Sequence, residues 1–208
     1  MKHLNTYITE YIIKKKLDNP IYSEDNYKYF PETKQELIYN VKELFDKGET
    51  NLNCICTSEI TDMCRLFELY ENINFDISGW DVSNVKDMSY MFFGCKLFDC
   101  DLSGWDVYNV ENMCAMFGGC HKFEGKGLEN WNVSNVIDMR SMFENCENLN
   151  CNLSNWDVSK VKDMNYMFYK CKKFNCNLYK WDVSKVKDMN YTFDDCTSLK
   201  NKPSWYEE

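Results

Sequence analysis

The sequence predicts an α/β solenoid of about six strand-plus-short-helix rungs with an N-terminal helical cap. Three observations carry this. Tryptophans return at Trp80, Trp105, Trp131, Trp156, Trp181 and Trp205, spaced 24 to 26 residues apart. Behind each of the first five, the same residue types recur at fixed offsets. Each unit also divides into a segment of period two and a segment of helical spacing. A period of this length marks stacked units, none of which can bury its apolar face alone.

Residues 75–100, FDISGWDVSNVKDMSYMFFGCKLFDC, show the unit whole. Two positions after tryptophan stand Val82, Val107, Val133, Val158 and Val183, and three further on Val85, Val110, Val136, Val161 and Val186. An aspartate or asparagine with a methionine follows: Asp87–Met88, Asn112–Met113, Asp138–Met139, Asp163–Met164 and Asp188–Met189. Then come a phenylalanine row (Phe92, Phe117, Phe143, Phe168, Phe193) and a cysteine row (Cys95, Cys120, Cys146, Cys171, Cys196). A worn copy precedes these, with Ile55 at the tryptophan position and Ile60, Asp62, Met63, Leu66, Phe67 and Ile73 in register. Worn outer copies are expected where a stack must be capped.

Phe174, Cys176 and Leu178 alternate with Asn175 and Asn177, the pattern of a half-buried strand. In residues 163–171, Met164, Met167, Phe168 and Cys171 fall at helical spacing, one apolar stripe over two turns. Asp163 stands at the N-cap position of that helix. Stacking would place a parallel sheet on one side and helices on the other.

The chain divides into an N-terminal helical region and cap, 1–50, and the repeat region, 51–208. In residues 1–16, Leu4, Ile8, Tyr11 and Ile12 make an amphipathic helical face. This stretch lacks the continuous apolar segment and small-residue cleavage site of a secretion signal. The expectation is synthesis for the cytoplasm, with lysis or packaging in a virion as routes to an external role. Residues 19–31 read as an extended connector, since Pro20 and Pro31 disfavour helix in the residues before them. Thr33 with Glu36 makes a capping box. Leu37, Ile38, Val41, Leu44 and Phe45 supply a buried stripe, and Gly48 suits the left-handed C-terminal position. This helix reads as a cap over the first rung, with a docking helix as the alternative.

The third unit carries one extra residue, and EGKGLEN replaces its strand. Gly125 and Gly127 predict a bulge near Lys126, either a tolerated insertion or a local feature of the binding face. At the C-terminus NKPSWYEE repeats the step from strand to tryptophan. Pro203 cannot donate a ladder bond and reads as the terminating edge.

Residues 80–95, WDVSNVKDMSYMFFGC, resemble the repeat of BspA-like leucine-rich-repeat proteins, in the variant first noted in mycoplasma surface proteins. The resemblance covers roughly residues 51–205. It implies a right-handed, leucine-rich-repeat-like α/β solenoid. It also implies a bacterial-surface, phage or giant-virus setting, with adhesion or protein binding as the usual role.

Twelve cysteines, an even number, are compatible in count with a disulfide framework. Their recurrence on the apolar stripe, and at Cys100, Cys151 and Cys176 on the inward side of the strand, predicts buried free thiols. With His3 and His121 the only histidines and no C-x-x-C, a zinc site is not expected. No catalytic triad or phosphate loop is evident, so the chain reads as no enzyme, with no cofactor. The recurring aspartates lack the glycine-rich turns of a calcium ladder; capping and turn bonds explain them. The methionine rows fit the core.

Net charge is −9 and most of the acidic excess follows residue 53, which argues against nucleic acid and anionic membrane as partners. No run suits a transmembrane helix, so no membrane insertion is expected. What remains is the outward side of the strands. It carries Asn74/Asp76, Asp99/Asp101, Glu124/Lys126, Asn150/Asn152, Asn175/Asn177 and Lys200/Lys202, a polar strip running from acidic through amide to basic. It reads either as a protein-binding face or as a soluble surface with stacked asparagines. The functional expectation is a non-catalytic protein-binding solenoid. The alternative is a structural or assembly component, for example of a phage or virus particle, that self-associates.

Overall fold

A computed structural model describes residues 27–68 and 70–206. The amphipathic face of Leu4, Ile8, Tyr11 and Ile12 lies outside them. Among the described residues there is one α-helix, α1 (Lys34–Asp46), and one short 3-10 turn, Leu128–Asn130. Strand pairing is reduced to seven isolated parallel bridges. The expected α/β, leucine-rich-repeat-like solenoid of strand-plus-short-helix rungs is therefore incorrect. Within the described repeats there is no strand and no α-helix.

The helical spacing has another origin. In residues 163–171, the Met167 amide donates to the Met164 carbonyl at 3.1 Å and the Cys171 amide to Phe168 at 3.0 Å. Tyr166 and Lys170, third in these two four-residue turns, have φ of 57° and 61°. A positive φ there marks a type II turn, and an α-helix of L-residues does not accommodate it. Two such turns in tandem bring their first and last residues inward. Met164, Met167, Phe168 and Cys171 are thus fully buried, as they would be on a helix. Asp163 caps no helix; its carboxylate accepts the Asn165 amide at 2.9 Å and starts the turn.

The tandem turns leave every second amide pointing along the stack. Met164, Tyr166, Phe168 and Lys170 donate to the carbonyls of Asp188, Asn190, Thr192 and Asp194 in the next repeat, at 2.8 to 3.0 Å. The same comb joins Met88, Tyr90, Phe92 and Gly94 to Asn112, Cys114, Met116 and Gly118. Backbone groups buried from water need partners, and here the neighbouring repeat supplies them.

The period-two segment also fails to become a strand. Its alternation is real: Phe174 and Leu178 are buried, Asn175 and Asn177 exposed. But several of its amides are met by side chains. Asp99 donates to Asn74 Oδ1 at 3.2 Å, Glu124 to Asp99 Oδ1 at 3.0 Å and Lys200 to Asn175 Oδ1 at 3.2 Å. Asn177 Oδ1 then accepts the Tyr179 amide at 3.1 Å and turns the chain. The extended run is too short for a ladder.

The core is a set of columns. Indole rings from Trp105 to Trp205 stack at 6.2 to 6.5 Å with planes within 7°. Each indole N–H reaches a carbonyl of the preceding repeat, as Trp156 does to Leu128 at 2.8 Å. Phe67, Phe92, Phe117, Phe143, Phe168 and Phe193 stack beside them at 5.3 to 5.7 Å. The cysteine row is buried and donates to the phenylalanine carbonyls one repeat back, for example Cys171 Sγ to Phe143 at 3.0 Å. Such contacts add roughly 0.5–1.5 kcal/mol per aromatic pair beyond area burial.

At the third unit, Gly127 sits at φ 90° ahead of the 3-10 turn. A Cβ there would lie 2.2 Å from the Ser103 amide nitrogen. The extra residue is absorbed in this turn, while Lys126 still accepts the Leu102 amide at 3.1 Å. At the N-terminal end, Tyr29 bridges to Ile55 and the Thr33–Glu36 capping box is formed. Phe45 of α1 packs on Phe67, Tyr70 and Phe75.

Candidate partner-binding surface

Of the twelve residues of the polar strip, Asp76 and Asp99 are half-buried and the other ten exposed. The structure joins them in groups. Asn74, Asp99, Glu124 and Lys126 form one: besides the two backbone bonds above, Lys126 Nζ donates to Asp99 Oδ2 at 2.9 Å and lies 3.6 Å from Glu124. That partner holds the Lys126 ammonium above its ordinary pKa. Asn175 and Lys200 form a second group through the Lys200 amide.

The outer members are turn residues. Asp76 accepts the Ser78 amide at 3.0 Å, Asp101 that of Ser103 at 2.9 Å and Asn152 that of Ser154 at 3.1 Å. Those backbone bonds hold the Asp76 and Asp101 carboxyls below their usual range. Much of the strip is thus engaged in stacking and turning the chain, Asp99 and Asp101 included. Side-chain bonds of this kind compete with regular structure for the same amides.

Asn150, Asn152, Asn175 and Asn177 wall a shallow depression of about 390 Å³ whose floor is Cys151 and Cys176. Cys176 Sγ accepts the Leu153 amide at 3.2 Å. Burial pushes the Cys151 thiol up to about 12 and raises that of Cys176. At neutral pH both stay thiols, and the thiolate is the reactive form. The depression therefore offers amide donors and acceptors over an inert sulfur floor.

A second aspartate column, Asp62, Asp87, Asp138, Asp163 and Asp188 with Asn112, runs along the bridges. Burial raises the Asp138 carboxyl, with the Asp163 and Asp87 charges adding to it. Arg140 answers at 3.8 Å from Asp138 and 4.0 Å from Asp163. Among the described residues no three His, Cys, Asp or Glu side chains are grouped to hold a metal ion. No helix among them is long and apolar enough to cross a membrane.

Sequence reasoning missed the left-handed column Arg65, Tyr90, Ala115, Ser141, Tyr166 and Tyr191, with φ of 51° to 58°. Its companion column gave a signal. Gly94 and Gly119 occupy the second left-handed position, which Asn145, Lys170 and Asp195 fill in later repeats. Glycine at two of those positions, and asparagine at a third, points to turns rather than helix.

Units of about 25 residues, each bonded to the next through backbone combs and ring columns, define a repeat protein. The chain belongs to the family described as Mycoplasma protein of unknown function, DUF285, whose model matches residues 35–127 and 112–207. It matches no curated protein and no solved structure.

Proposed function

We propose that this chain is a non-catalytic protein-binding module that engages a protein partner through its polar column. The depression between Asn150/Asn152 and Asn175/Asn177 is the observation that carries the reading. It gathers four side-chain amides around one concavity, and the backbone bonds to Asn152, Asn175 and Asn177 hold three of them in place. Extended concave or polar faces are the usual contact surfaces of repeat proteins. The repeat WDVSNVKDMSYMFFGC supports placing the chain beside the BspA-like surface proteins within its family, whose expected role is adhesion or protein binding.

The test is a double substitution, Asn152→Asp with Asn177→Asp. Aspartate keeps the oxygen that accepts the Ser154 and Tyr179 amides, so the turns survive while two negative charges enter the depression. Proteins retained from a host lysate by wild type and lost by the variant, at unchanged melting temperature, are the expected outcome. Equal retention by both would move the contact off this column.

A further inference from the structure

The asparagines of the depression do more than turn the chain. Asn152 Oδ1 accepts the Ser154 amide and the Cys176 thiol, Asn175 Oδ1 the Lys200 amide and Asn177 Oδ1 the Tyr179 amide. Those bonds fix which way each side chain faces. The oxygen turns to the chain, and the NH2 group, a donor of two bonds, is left without an acceptor among the described residues. The Asn150 side chain makes no bond there at all. Neither the turn nor charge spacing demands asparagine. Asp76 and Asp101, on adjacent repeats, make the same bonds to the Ser78 and Ser103 amides with carboxylates. What asparagine adds is a set of outward donors over a floor of uncharged thiols. The charge of the chain divides at the same place. Residues 54–150 hold 16 acidic and 6 basic side chains, and residues 151–208 hold 8 and 10. The depression lies where the acidic excess ends.

We infer that the depression takes carboxylate side chains, and that its occupant is an acidic segment of the protein partner, rich in aspartate or glutamate. The inference rests on the polar-column reading and names the partner's chemistry. An ionised carboxylate only accepts hydrogen bonds, so it matches a site whose oriented groups donate. Bonds of this kind, with one partner charged, are roughly twice as strong as neutral ones. Lys200, tied to Asn175 through its backbone amide, sets a cation at the next repeat of the same row. A basic segment finds no such match. Ammonium and guanidinium groups only donate, and three of the four amide oxygens already serve the chain. The acidic side chain of the nearest rows does not compete, because Asp99 is held by Lys126 at 2.9 Å.

The experiment follows the side-chain amide resonances of the isotope-labelled whole protein by NMR, with a hexa-aspartate peptide as probe and hexa-asparagine as its neutral control. The expected result is a saturable shift of the Asn150, Asn152, Asn175 and Asn177 NH2 signals with millimolar hexa-aspartate and none with hexa-asparagine. Asn152→Ser with Asn177→Ser keeps an oxygen for each turn, adds no charge and removes two donors. It is expected to weaken the peptide by about tenfold or more, the factor that about 1.4 kcal/mol of binding supplies. Where that pair fails to fold, Asn150→Ala serves with the same expectation, since its side chain holds nothing in place. No shift, an equal shift with hexa-asparagine or with inorganic phosphate, or unchanged binding by the variant overturns the acidic occupant. The polar-column reading survives those results if lysate capture still depends on Asn152 and Asn177. Equal lysate capture by wild type and the double aspartate variant overturns both. Shifts that grow with protein concentration and no peptide assign the depression to the acidic repeats of a second copy and overturn a separate partner.

Discussion

At the N-terminal end α1 lies over the first repeat, burying Leu37, Val41 and Leu44 and placing the Phe45 ring 4.5 Å from Tyr70. At the C-terminal end Val183, Val186 and Met189 remain partly exposed and a row of amides faces outward. Both ends meet the same problem, since a repeat of this kind has two faces and completes itself only against neighbours. The helix solves it at one end with a structure unlike the repeats. It brings apolar side chains and an ion pair to the first repeat, Lys34 to Asp62 at 2.9 Å. The other end keeps the geometry of an internal junction. Stability in such a stack is a sum over interfaces, so equivalent residues should differ in weight according to which end they stand near.

The largest test of that contrast is Leu37→Ala. The side chain is fully buried under the cap, and its truncation is expected to cost about 2–5 kcal/mol, read from urea unfolding. A loss below 1 kcal/mol would mean that α1 does not seal the first repeat. Next comes a matched pair in one row. Met164→Ala, fully buried in the interior, should cost about 2–5 kcal/mol, and Met189→Ala, partly exposed, only about 1 kcal/mol. Equal losses would erase the distinction between interior and open end.

Thr33→Ala is a smaller test. It removes the hydroxyl that accepts the Glu36 amide at 3.2 Å and should lower stability by about 1 kcal/mol, with no effect on exchange at Met189 or Tyr191. The smallest effect is acid. Glu43 bonds to Lys47 and accepts the Tyr29 hydroxyl at 3.1 Å, and these bonds hold its carboxyl below the ordinary value. A carboxyl depressed in the folded state stabilises while ionised. Its contribution is present above roughly pH 4.3, the unfolded value, and is lost as pH falls through the lower folded one. Protection factors of the α1 amides should fall slightly between neutral pH and pH 3, and Glu43→Gln should flatten that change. The outward amides at the other end should show no matching trend.

Much of this molecule is legible in residue types alone. The tryptophan, phenylalanine, methionine and cysteine rows all turn inward, and the helix over Thr33–Glu36 forms with its capping box. The polar strip is on the surface, but only contacts reveal that Asp99 is held by Lys126 and the Glu124 amide. A carboxylate committed to stacking looks the same in sequence as one free to bind. The depression at Asn150–Asn177 was likewise illegible, because its walls come from two repeats and its floor from two cysteines.

What the sequence by itself determined is the register and the inside. A 25-residue period with apolar residues at fixed offsets dictates which side chains stack, since burial of those rows drives the folding. What only the tertiary structure decided is the path of the backbone between them. First, fourth, fifth and eighth residues point inward from an α-helix and equally from two tandem turns. The choice rests on where the amides of Met164, Tyr166, Phe168 and Lys170 find acceptors. Those acceptors lie in the next repeat, beyond the reach of any local pattern.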